Sequence, residues 1–474
     1  MTKNIIIIFL CILFLTIVLS SPANEVNVPV EDRANFGITK FIQNLLGKVQ
    51  NFLFGNWNKN NDTSNKNNIT SAEKPMENND FFQGDILLTE KQADKIVDKV
   101  AVEAAEEGID LYKVSENDTD VRLKRKILAS RSNWQFPIKF YIANRNGAII
   151  RKALKGIEKK TCVRFEETYF EPRGRPGLKF MNGVACYSFV GRIYNDKFQD
   201  VSIPAGCDTI GKVQHEVMHA LGSEHEQCRT DRDDYITIFK GNVKHGMLVN
   251  YDKIPLNDSL TYGAKYEYGS NMHYRSRAFG INDLITMLPK NGAYNKTIGT
   301  LAGLTFLDAK LLNLHYCSKK CETKIKCYNG GYQNPNKCGT CKCVKGYSGS
   351  KCTEFPPYKK GCGEQIYFIT QTNQTLTFND KKNCLYHLKA PHGERIKINI
   401  DYMFGFFVNE RFTCDKKDSV EVKFLKDKVL TGALICQGMS NLEIHTENDH
   451  AIIHLRSAED FNKMNITFSL LSLK

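Results

Sequence analysis

The stretch from His215 to His225 holds three histidines and a glutamate at fixed intervals. On a helix, residues four positions apart lie on one face, so His215 and His219 can reach one ion while Glu216 points beside it. Gly222 is expected to end that helix, because glycine adopts the left-handed backbone that turns the chain back and lets His225 supply a third nitrogen. Three imidazoles with an open fourth position are typical of a catalytic zinc site. The chain must therefore fold around a metal-binding helix.

The length and the amino-terminal pattern predict a secreted protein of several domains. A chain of 474 residues suggests about three domains of roughly 100 to 200 residues each. Lys3 precedes an apolar run over residues 5–19, and small residues follow, which is typical of a cleaved signal peptide over residues 1–21. A retained signal anchor is the alternative, but the run is shorter than the roughly 20 residues of a membrane helix. We expect secretion, with no membrane span after signal cleavage.

Charge and glycosylation sequons agree with an extracellular location. The net charge is +13, and residues 22–125 hold 13 Lys and Arg against 18 Asp and Glu, so the positive charge lies elsewhere in the chain. A basic surface attracts acidic matrix, glycans or anionic proteins. No recognisable nucleic-acid-binding motif is present, so nucleic acid is not an expected partner. Seven Asn-x-Ser/Thr sequons mark candidate glycosylation sites at Asn61, Asn68, Asn117, Asn257, Asn295, Asn373 and Asn465.

The amino-terminal region divides into three segments. Residues 56–80 are mostly Asn, Lys, Asp, Ser and Thr, and we expect disorder there because they offer little apolar surface to bury. Residues 89–107 are expected to form a helix that begins with a capping box of Thr89 and Gln92. The run 122–125, RLKR, is either a solvated basic loop or a processing site.

Short apolar segments frame the metal motif. Residues 138–142 predict a strand, residues 147–157 a helix, and residues 186–191 another strand. Asp208 or Thr209 is the expected N-cap of the helix that carries the two histidines.

Two further segments extend the metal motif. Residues 226–233 read EQCRTDRD, and residues 270–274 read SNMHY. In this combination the chain resembles the astacin family of zinc endopeptidases, where the second segment is the Met-turn. The resemblance implies that Met272 forms an apolar floor under the metal and that Tyr274 is an additional zinc ligand.

The resemblance also implies a cofactor, a reaction and a substrate class. One Zn²⁺ per subunit would be bound by His215, His219, His225 and Tyr274. Zinc activates water and polarises the scissile carbonyl, while Glu216 takes the water proton and passes it to the leaving amine. Tyr274 would then hydrogen-bond the oxyanion. The expected substrates are extracellular proteins, with matrix, cuticle or collagen-like proteins all compatible.

Two features imply that the enzyme is made in a latent form. Residues 82–85, FQGD, resemble the prosegment motif of the family, in which the aspartate binds zinc and displaces the catalytic water. Asp85 is therefore the expected switch, with a simple turn before the following helix as the alternative. The basic run resembles a furin-type site, which implies a processing protease that cleaves after Arg125. Glu226 would receive the new amino terminus.

The 16 cysteines fit this layout. Cys11 lies in the signal peptide, and Cys228 is left over, so it stays buried, pairs between chains or binds metal. For the six cysteines between residues 321 and 352 a zinc ribbon is the alternative, but their spacing and the secreted context oppose it. The resemblance pairs Cys162 with Cys317 and Cys186 with Cys207, groups Cys321, Cys327, Cys338, Cys341, Cys343 and Cys352 in an EGF-like module, and pairs Cys362 with Cys384 and Cys414 with Cys436 in a CUB domain.

The fold implied by the resemblance is α+β, with a two-subdomain metzincin catalytic domain around a zinc cleft, a small disulfide-rich EGF-like module and an all-β CUB sandwich. An extended substrate is expected to pair with the sheet edge at 190–192.

The alternative function is a secreted binding or adhesion protein that acts through its EGF and CUB modules and has an inert protease domain. The expected boundaries are 1–21 for the signal peptide, 22–125 for the prosegment with its Asn-rich linker, 126–317 for the catalytic domain, 318–353 for the EGF-like module and 362–474 for the CUB domain.

Overall fold

A computed structural model describes residues 33–54, 74–97, 133–254 and 260–471 of the chain. Among these residues, no helix combines the length and the apolar character needed to cross a membrane. Several predicted features lie outside the described residues: the signal peptide, the processing site at Arg125, and the sequons at Asn61, Asn68, Asn117 and Asn257.

The described α-helices are α1 (Arg33–Phe54), α2 (from 90, described to 97), α3 (Gly147–Lys160), α4 (Ile210–Ala220) and α5 (Phe306–Cys317). The predicted capping box of α2 is confirmed, because the Thr89 N–H donates to Gln92 Oε1 at 2.9 Å and the Gln92 N–H donates to Thr89 Oγ1 at 3.3 Å. Short 3₁₀ helices cover Glu226–Cys228, Arg232–Asp234, Lys240–Asn242, Leu248–Tyr251, Ile281–Asp283 and Gly292–Tyr294.

A mixed six-stranded sheet forms beside α3 and α4, with the strand order β1-β5-β6-β4-β2-β3. Strand β5 runs antiparallel to β6, and the remaining pairs are parallel. The amino-terminal segment supplies β1, which pairs with β5 through Ile86 to Ser188 and Leu87 to Phe189. The strands are β1 (Ile86–Leu87), β2 (Ile138–Ile142), β3 (Phe165–Thr168), β4 (Gly177–Met181), β5 (Tyr187–Phe189) and β6 (Phe198–Ser202).

Strand β5 ends earlier than the sequence predicted, since it covers Tyr187–Phe189 and the predicted strand covered residues 186–191. Gly191 has a φ of +80° and its N–H donates to the His219 carbonyl at 2.8 Å, so the chain leaves the sheet direction there. The Gly191 carbonyl accepts from Gln199 Nε2 at 2.9 Å. The expectation that 190–192 offers a pairing edge is therefore wrong, because the Gly191 peptide groups are already bonded. The edge that accepts another strand is β5.

The metal helix α4 has defined ends and an apolar environment. Thr209 is the N-cap, with its hydroxyl accepting from the Lys212 N–H. At the other end the Gly222 N–H donates to the His219 carbonyl and the Ser223 N–H donates to the Met218 carbonyl, which is a Schellman motif. Gly222 has a φ of +95°, as the reversal requires. The helix packs on α3 and on the sheet, and its inner side chains are fully buried.

The prediction of disorder over 56–80 is wrong for its last part. Residues 74–80 form turns, and Pro75 and Met76 are buried. The reason is tertiary: the Pro75 carbonyl accepts from the Cys186 N–H at 3.0 Å, and Glu77 forms an ion pair with Arg275. This polar segment offers little apolar surface of its own, and contacts with residues far along the chain order it.

The carboxy-terminal part follows α5 and is rich in disulfides and strands. A small two-stranded ladder, β7 with β8, lies in the region before α5, and β9 with β10 lies among the cysteines after it. Two sheets then face one another, with the orders β11-β13-β18-β15-β16 and β12-β19-β14-β17. We call them the two-sheet unit. Apolar side chains from both sheets form one core, which includes Leu388, Val420, Ile398 and Phe468.

The remaining strands are β7 (Ile236–Ile238), β8 (Met287–Pro289), β9 (Tyr332–Gln333), β10 (Cys341–Lys342), β11 (Ile366–Phe368), β12 (Gln374–Asn379), β13 (Lys382–Lys389), β14 (Ile396–Phe404), β15 (Ser419–Lys423), β16 (Ala433–Ile435), β17 (Leu442–His445), β18 (His450–Ser457) and β19 (Lys463–Leu470). The seven disulfides are Cys162–Cys317, Cys186–Cys207, Cys321–Cys338, Cys327–Cys341, Cys343–Cys352, Cys362–Cys384 and Cys414–Cys436.

Close backbone packing at the start of α4 yields a stability prediction. A Cβ at Gly211 would lie 1.6 Å from the Leu301 carbonyl oxygen, so the two backbones cannot keep their separation if Gly211 becomes alanine. We expect Gly211→Ala to lower the free energy of unfolding by about 1–3 kcal/mol. Chemical denaturation of the purified chain measures this. Gly292→Ala is the control, since its Cβ would meet its nearest neighbour only at 3.8 Å, and an equal loss in both variants would contradict the prediction.

Candidate metal centre and active site

Three imidazoles converge in a buried space beside α4. Each Nδ1 lies near a carbonyl-type oxygen that can only accept: the Asn271 carbonyl for His215 at 2.6 Å, the Ser223 carbonyl for His219 at 2.8 Å, and Gln83 Oε1 for His225 at 2.7 Å. Each Nδ1 therefore carries the proton, and each Nε2 lone pair faces the common centre. Burial lowers the pKa of His225 to about 4, which keeps its imidazole neutral as a metal ligand must be.

The Asp85 carboxylate fills the remaining side of this centre. Its Oδ2 lies 3.2 Å from His215 Nε2, and its Oδ1 lies 3.3 Å from His225 Nε2 and 3.7 Å from His219 Nε2. Burial works to raise the pKa of Asp85, but His225 and the close approach of the other two imidazoles hold that pKa well below its usual range. The carboxylate is therefore the anionic member of a four-residue set.

The four groups fit a tetrahedral zinc ion. Ligand atoms at the usual zinc distances lie about 3.3 Å from one another in a tetrahedron. Two of the three spacings to Asp85, 3.2 and 3.3 Å, agree with this value, and the third is 3.7 Å. The 3.2 Å between His215 Nε2 and His225 Nε2 separates two lone pairs that need a cation between them. Asp85 Oδ1 and His219 Nε2 are buried without a hydrogen-bond partner among the described residues, as expected for atoms that ligate a metal.

Glu216 lies next to His215 on α4 and is fully buried. Neither carboxylate oxygen has a hydrogen-bond partner within the described part of the chain. Burial, and then the negative charge of Asp85, raise the pKa of Glu216 well above its usual value. A buried carboxylate without a partner is costly, so its retention beside the metal set indicates a chemical role.

Tyr274 lies in the same space but points at the amino-terminal segment. Its ring centroid is 4.8 Å from that of His225, and its hydroxyl donates to the Gln83 carbonyl at 2.5 Å. Gln227 Oε1 accepts from the Tyr274 N–H at 3.0 Å and fixes the backbone there. With Asp85 present, the structure thus places Tyr274 beside the metal set instead of in it.

The Met-turn is held by a carboxylate that the sequence did not single out. Asp308 Oδ1 accepts from Ser270 Oγ at 2.8 Å, and Oδ2 accepts from the Asn271 N–H at 3.0 Å and from the Thr305 N–H at 2.9 Å. The same Asp308 completes the capping box of α5. Because Asn271 also accepts from His215, this helix start orients a metal ligand. Met272 is buried in the core that includes Val217 of α4.

Glu226 and Cys228 follow the third histidine. Glu226 Oε1 accepts from the Glu267 N–H at 2.8 Å and from Arg229 Nη1 at 3.2 Å, and burial raises the pKa of Glu226 to about 8. Cys228 is a buried free thiol with its Sγ 3.7 Å from the Asn250 carbonyl, and burial raises its pKa. It is not in the four-residue metal set.

The structure brings most of the predicted site residues together and adds others. His215, His219, His225, Glu216, Tyr274 and Asp85 share one buried space, whereas Arg125 lies outside the described residues. Among the described sequons, Asn373 is exposed, and Asn295 and Asn465 are half-buried. Sequence reasoning missed Gln83, Asn271, Gln227 and Asp308, whose roles depend on contacts between distant segments. Gln83, Asn271 and Gln227 had a sequence signal, since they lie inside the FQGD, SNMHY and EQCRTDRD segments, whereas Asp308 had none.

Comparison with known proteins agrees with this geometry. A family model described as Astacin, a family of peptidases, matches residues 126–317. Zinc metalloproteinase nas-34 of Caenorhabditis elegans is 32% identical over 393 residues, which are 80% of this chain and 63% of that protein. Zinc metalloproteinase nas-36 of Brugia malayi is 31% identical over 398 residues, 79% of this chain and 67% of that protein. The solved structure of high choriolytic enzyme 1, a hatching enzyme zinc-protease of Oryzias latipes, shares 30% identity over 98% of its chain and 40% of this one, with a TM-score of 0.36.

Two histidines on a helix and a third after the turn that ends it, with an adjacent buried glutamate and a mixed sheet beside them, define a metal-dependent peptidase domain. The chain belongs to the astacin family, and the metal of the site is zinc. It spans 63% and 49% of the length of two C. elegans relatives, zinc metalloproteinases nas-34 and nas-37.

The ligand set predicts a specific loss of zinc. His219→Gln removes one of three nitrogen ligands, and we expect zinc affinity to fall by more than about 100-fold, since changes to outer-shell partners alone cost roughly 10- to 100-fold. Zinc per chain, measured by mass spectrometry after dialysis against a competing chelator, is the readout. The exposed His245 provides the control His245→Gln, which should keep one zinc. Retention of a full zinc equivalent by His219→Gln would show that the metal lies elsewhere.

Proposed function

We propose that this chain is a secreted zinc endopeptidase, made as a latent zymogen, that hydrolyses internal peptide bonds of extracellular proteins. The observation that carries the proposal is the buried Glu216 carboxylate, which has no partner among the described residues and lies next to a His₃ zinc set. Family membership supports the same reaction class.

The residues suggest a division of roles in peptide hydrolysis. Bound zinc supplies Lewis-acid polarisation of the scissile carbonyl and lowers the pKa of water. Glu216 accepts the proton of the attacking water and delivers it to the leaving amine, and its burial suits the first transfer because a raised pKa makes the carboxylate a stronger base. His215, His219 and His225 hold the ion, each oriented through its Nδ1–H.

Tyr274 has two roles in the processed enzyme under this proposal. Its hydroxyl is now bonded to the Gln83 carbonyl, and that partner departs with the amino-terminal segment. Tyr274 would then be free to serve as a fourth protein ligand of the metal, and during turnover its hydroxyl would donate a hydrogen bond to the developing oxyanion. A phenol suits both roles because it can accept and donate.

Latency is explained by the position of the amino-terminal segment. Asp85 occupies the side of the metal set where water and substrate must enter, and β1 covers the β5 edge. Cleavage after Arg125 by a processing protease, followed by release of the segment, would open the site. The amino terminus formed by maturation would then bind Glu226, whose buried carboxylate is now paired with Arg229.

Secretion and modular architecture complete the proposal. Seven disulfides among the described residues favour an oxidising compartment. The three disulfides between residues 321 and 352 suit an EGF-like module, and the two-sheet unit suits a CUB domain. A two-subdomain layout around the cleft remains part of the same proposal. A binding or adhesion protein with an inert protease domain is disfavoured, because Glu216 and the three histidines are all present and correctly placed.

The role of Glu216 predicts a separation of metal binding from catalysis. Processed Glu216→Ala protein should keep one zinc but lose about 10²- to 10⁴-fold in kcat, because general-base assistance is absent. Quenched fluorescent peptides and zinc analysis measure the two properties. Glu443→Gln, on the exposed face of the two-sheet unit, is the control. Turnover at the unaltered rate by Glu216→Ala would refute the assignment.

The latency role of Asp85 predicts activity without processing. In the uncleaved chain, Asp85→Ala should raise the hydrolysis of a short peptide at least about tenfold, because the carboxylate contact with the metal set is lost. A cleavage-resistant form with Arg125→Ala keeps processing out of the assay. Asp80→Ala, in the same segment but partly exposed, should stay latent. If the Asp85 variant stays as inactive as the parent while binding zinc, the switch role is wrong.

A further inference from the structure

Arg456 of β18 has one edge of its guanidinium group bonded and the other edge without a partner. Its Nη1 donates to Glu421 Oε2 at 3.0 Å and to His454 Nδ1 at 2.7 Å, so both protons of that nitrogen are engaged. Its Nε and Nη2 are buried and have no hydrogen-bond partner among the described residues. These two nitrogens form the fork with which a guanidinium group binds two oxygens of one anion. Buried donors without an acceptor are costly, so this fork is a candidate binding group.

The contacts of the bonded edge hold Arg456 in place. The Glu421 carboxylate also accepts from the Gly432 N–H at 3.0 Å and lies 3.5 Å from Lys423 Nζ, so its position is fixed. Burial, and then the charge of Arg456, lower the pKa of His454 to about 3, which keeps its imidazole neutral and able to accept. The guanidinium group is therefore anchored through Nη1, while Nε and Nη2 remain directed elsewhere.

A serine hydroxyl lies across the strand ladder from this fork. Ser419 of β15 is directly opposite Arg456 in the antiparallel pair of β15 with β18. Opposed residues of such a pair have their side chains on the same face, with Cβ atoms roughly 5 Å apart. Ser419 is fully buried, and its Oγ has no hydrogen-bond partner within the described part of the chain. Two neighbouring side chains thus hold unbonded polar atoms on one face of the sheet.

Lys416 adds a positive charge where the two-sheet unit meets α3. It lies three residues before Ser419 and is half-buried. Burial lowers the pKa of Lys416, while the charge of Glu421 works to raise it and that of Arg456 to lower it, so its ammonium group is within electrostatic reach of both. Burial, and then the charge of Lys416, lower the pKa of Lys160, at the end of α3, to about 8. The ammonium groups of Lys416 and Lys160 therefore repel one another.

Positive charge exceeds negative charge around the fork. Lys416, Lys423 and Arg456 supply three cations. Burial works to raise the pKa of Glu421, but Lys423 and Arg456 hold it below its usual range, so this residue supplies one anion. Glu267, which acts on Lys416 from the other side, adds at most a second. At least one positive charge thus has no counter-charge in this group, and a buried charge without one is costly.

The donors favour one chemical class of anion. The Arg456 fork can engage two oxygens, the Ser419 hydroxyl can donate to a third, and Lys416 contributes a point charge. A carboxylate has only two oxygens, and a chloride ion presents a single centre. Sulfate and phosphate present four oxygens in a tetrahedron, which can serve the fork and the hydroxyl together. Because the fork and the hydroxyl are buried, a small free ion fits better than a group attached to a larger molecule.

We propose that Arg456, Ser419 and Lys416 form a binding site for one free tetrahedral oxyanion, sulfate or phosphate. Two oxygens of the ion accept from Arg456 Nε and Nη2, and a third accepts from Ser419 Oγ. The bound ion offsets the repulsion between Lys416 and Lys160 and so strengthens the contact between the two-sheet unit and α3. The site contains no residue of the metal centre, and the inference is independent of the proposed peptidase function.

Calorimetric titration of the purified full chain tests the site. Sodium sulfate, and in a separate experiment sodium phosphate, is added at an ionic strength held constant with sodium chloride. One ion should bind per chain with a Kd of about 1 mM or tighter. Ser419→Ala should weaken binding about 3- to 10-fold, the range expected for one hydrogen bond, and Lys416→Gln about 10- to 100-fold. The control Lys417→Gln removes the same charge from the exposed neighbouring residue and should bind like the parent.

A lysine variant separates recognition by the fork from misfolding. Arg456→Lys keeps a positive charge beside Glu421 but loses the fork, and we expect it to bind sulfate about 10- to 100-fold more weakly. Thermal unfolding without sulfate shows whether this variant is folded. Sulfate should raise the Tm of the parent more than that of Ser419→Ala. The comparison between variants is needed because sulfate stabilises folded proteins in general by its exclusion from their surface.

Three outcomes would overturn the site or its assignment. Absence of sulfate and phosphate binding by the parent, or equal affinity of the parent, Ser419→Ala and folded Arg456→Lys, overturns the site. A sulfated disaccharide should fail to compete with sulfate, since its sulfate group is attached to a sugar. Competition at equal molar concentration overturns the assignment to a free ion.

Discussion

Three imidazole Nε2 atoms and one carboxylate converge at a single buried point. The surrounding structure positions these four polar groups around that point. Asp85 Oδ1 and His219 Nε2 are buried there without a hydrogen-bond partner among the described residues, and a cation held by the four groups satisfies both atoms. The capped and Schellman-terminated α4 places His215 and His219, and the reversal at Gly222 returns His225 to the same point. The Nδ1–H bonds then fix which nitrogen of each ring faces the metal.

The amino-terminal segment is attached at several independent places. Asp85 contacts the metal set, β1 extends the sheet at β5, and Glu77 pairs with Arg275. Gln83 bridges these contacts, because its side chain accepts from His225 and its carbonyl accepts from Tyr274. Such distributed attachment holds the amino-terminal segment in place by more than any one contact provides, so no single side chain accounts for all of it.

The two-sheet unit also belongs to the framework of the site. The Thr431 N–H donates to the buried Glu267 carboxylate at 3.0 Å, and burial raises the pKa of that carboxyl to about 7. The Glu267 N–H in turn donates to Glu226, next to the metal ligand His225. The Leu434 N–H donates to Thr297 Oγ1 at 2.9 Å and adds a second tie. Hydrogen bonds therefore connect Thr431 of the two-sheet unit, through Glu267, to Glu226 near the metal ligands.

The sequence by itself determined the metal motif, the glutamate beside it and the turn at Gly222, and it narrowed the N-cap to Asp208 or Thr209, because these depend on helical periodicity and on local backbone preferences. It also predicted the α2 capping box and most strand positions, although it placed the end of β5 too late. Only the tertiary structure decided that residues 74–80 are ordered, that Gly191 is bonded to α4, that Asp308 holds the Met-turn, and that Arg275 pairs with Glu77. Each of these depends on contacts between residues far apart in the chain, whose burial and charge pairing no local pattern records.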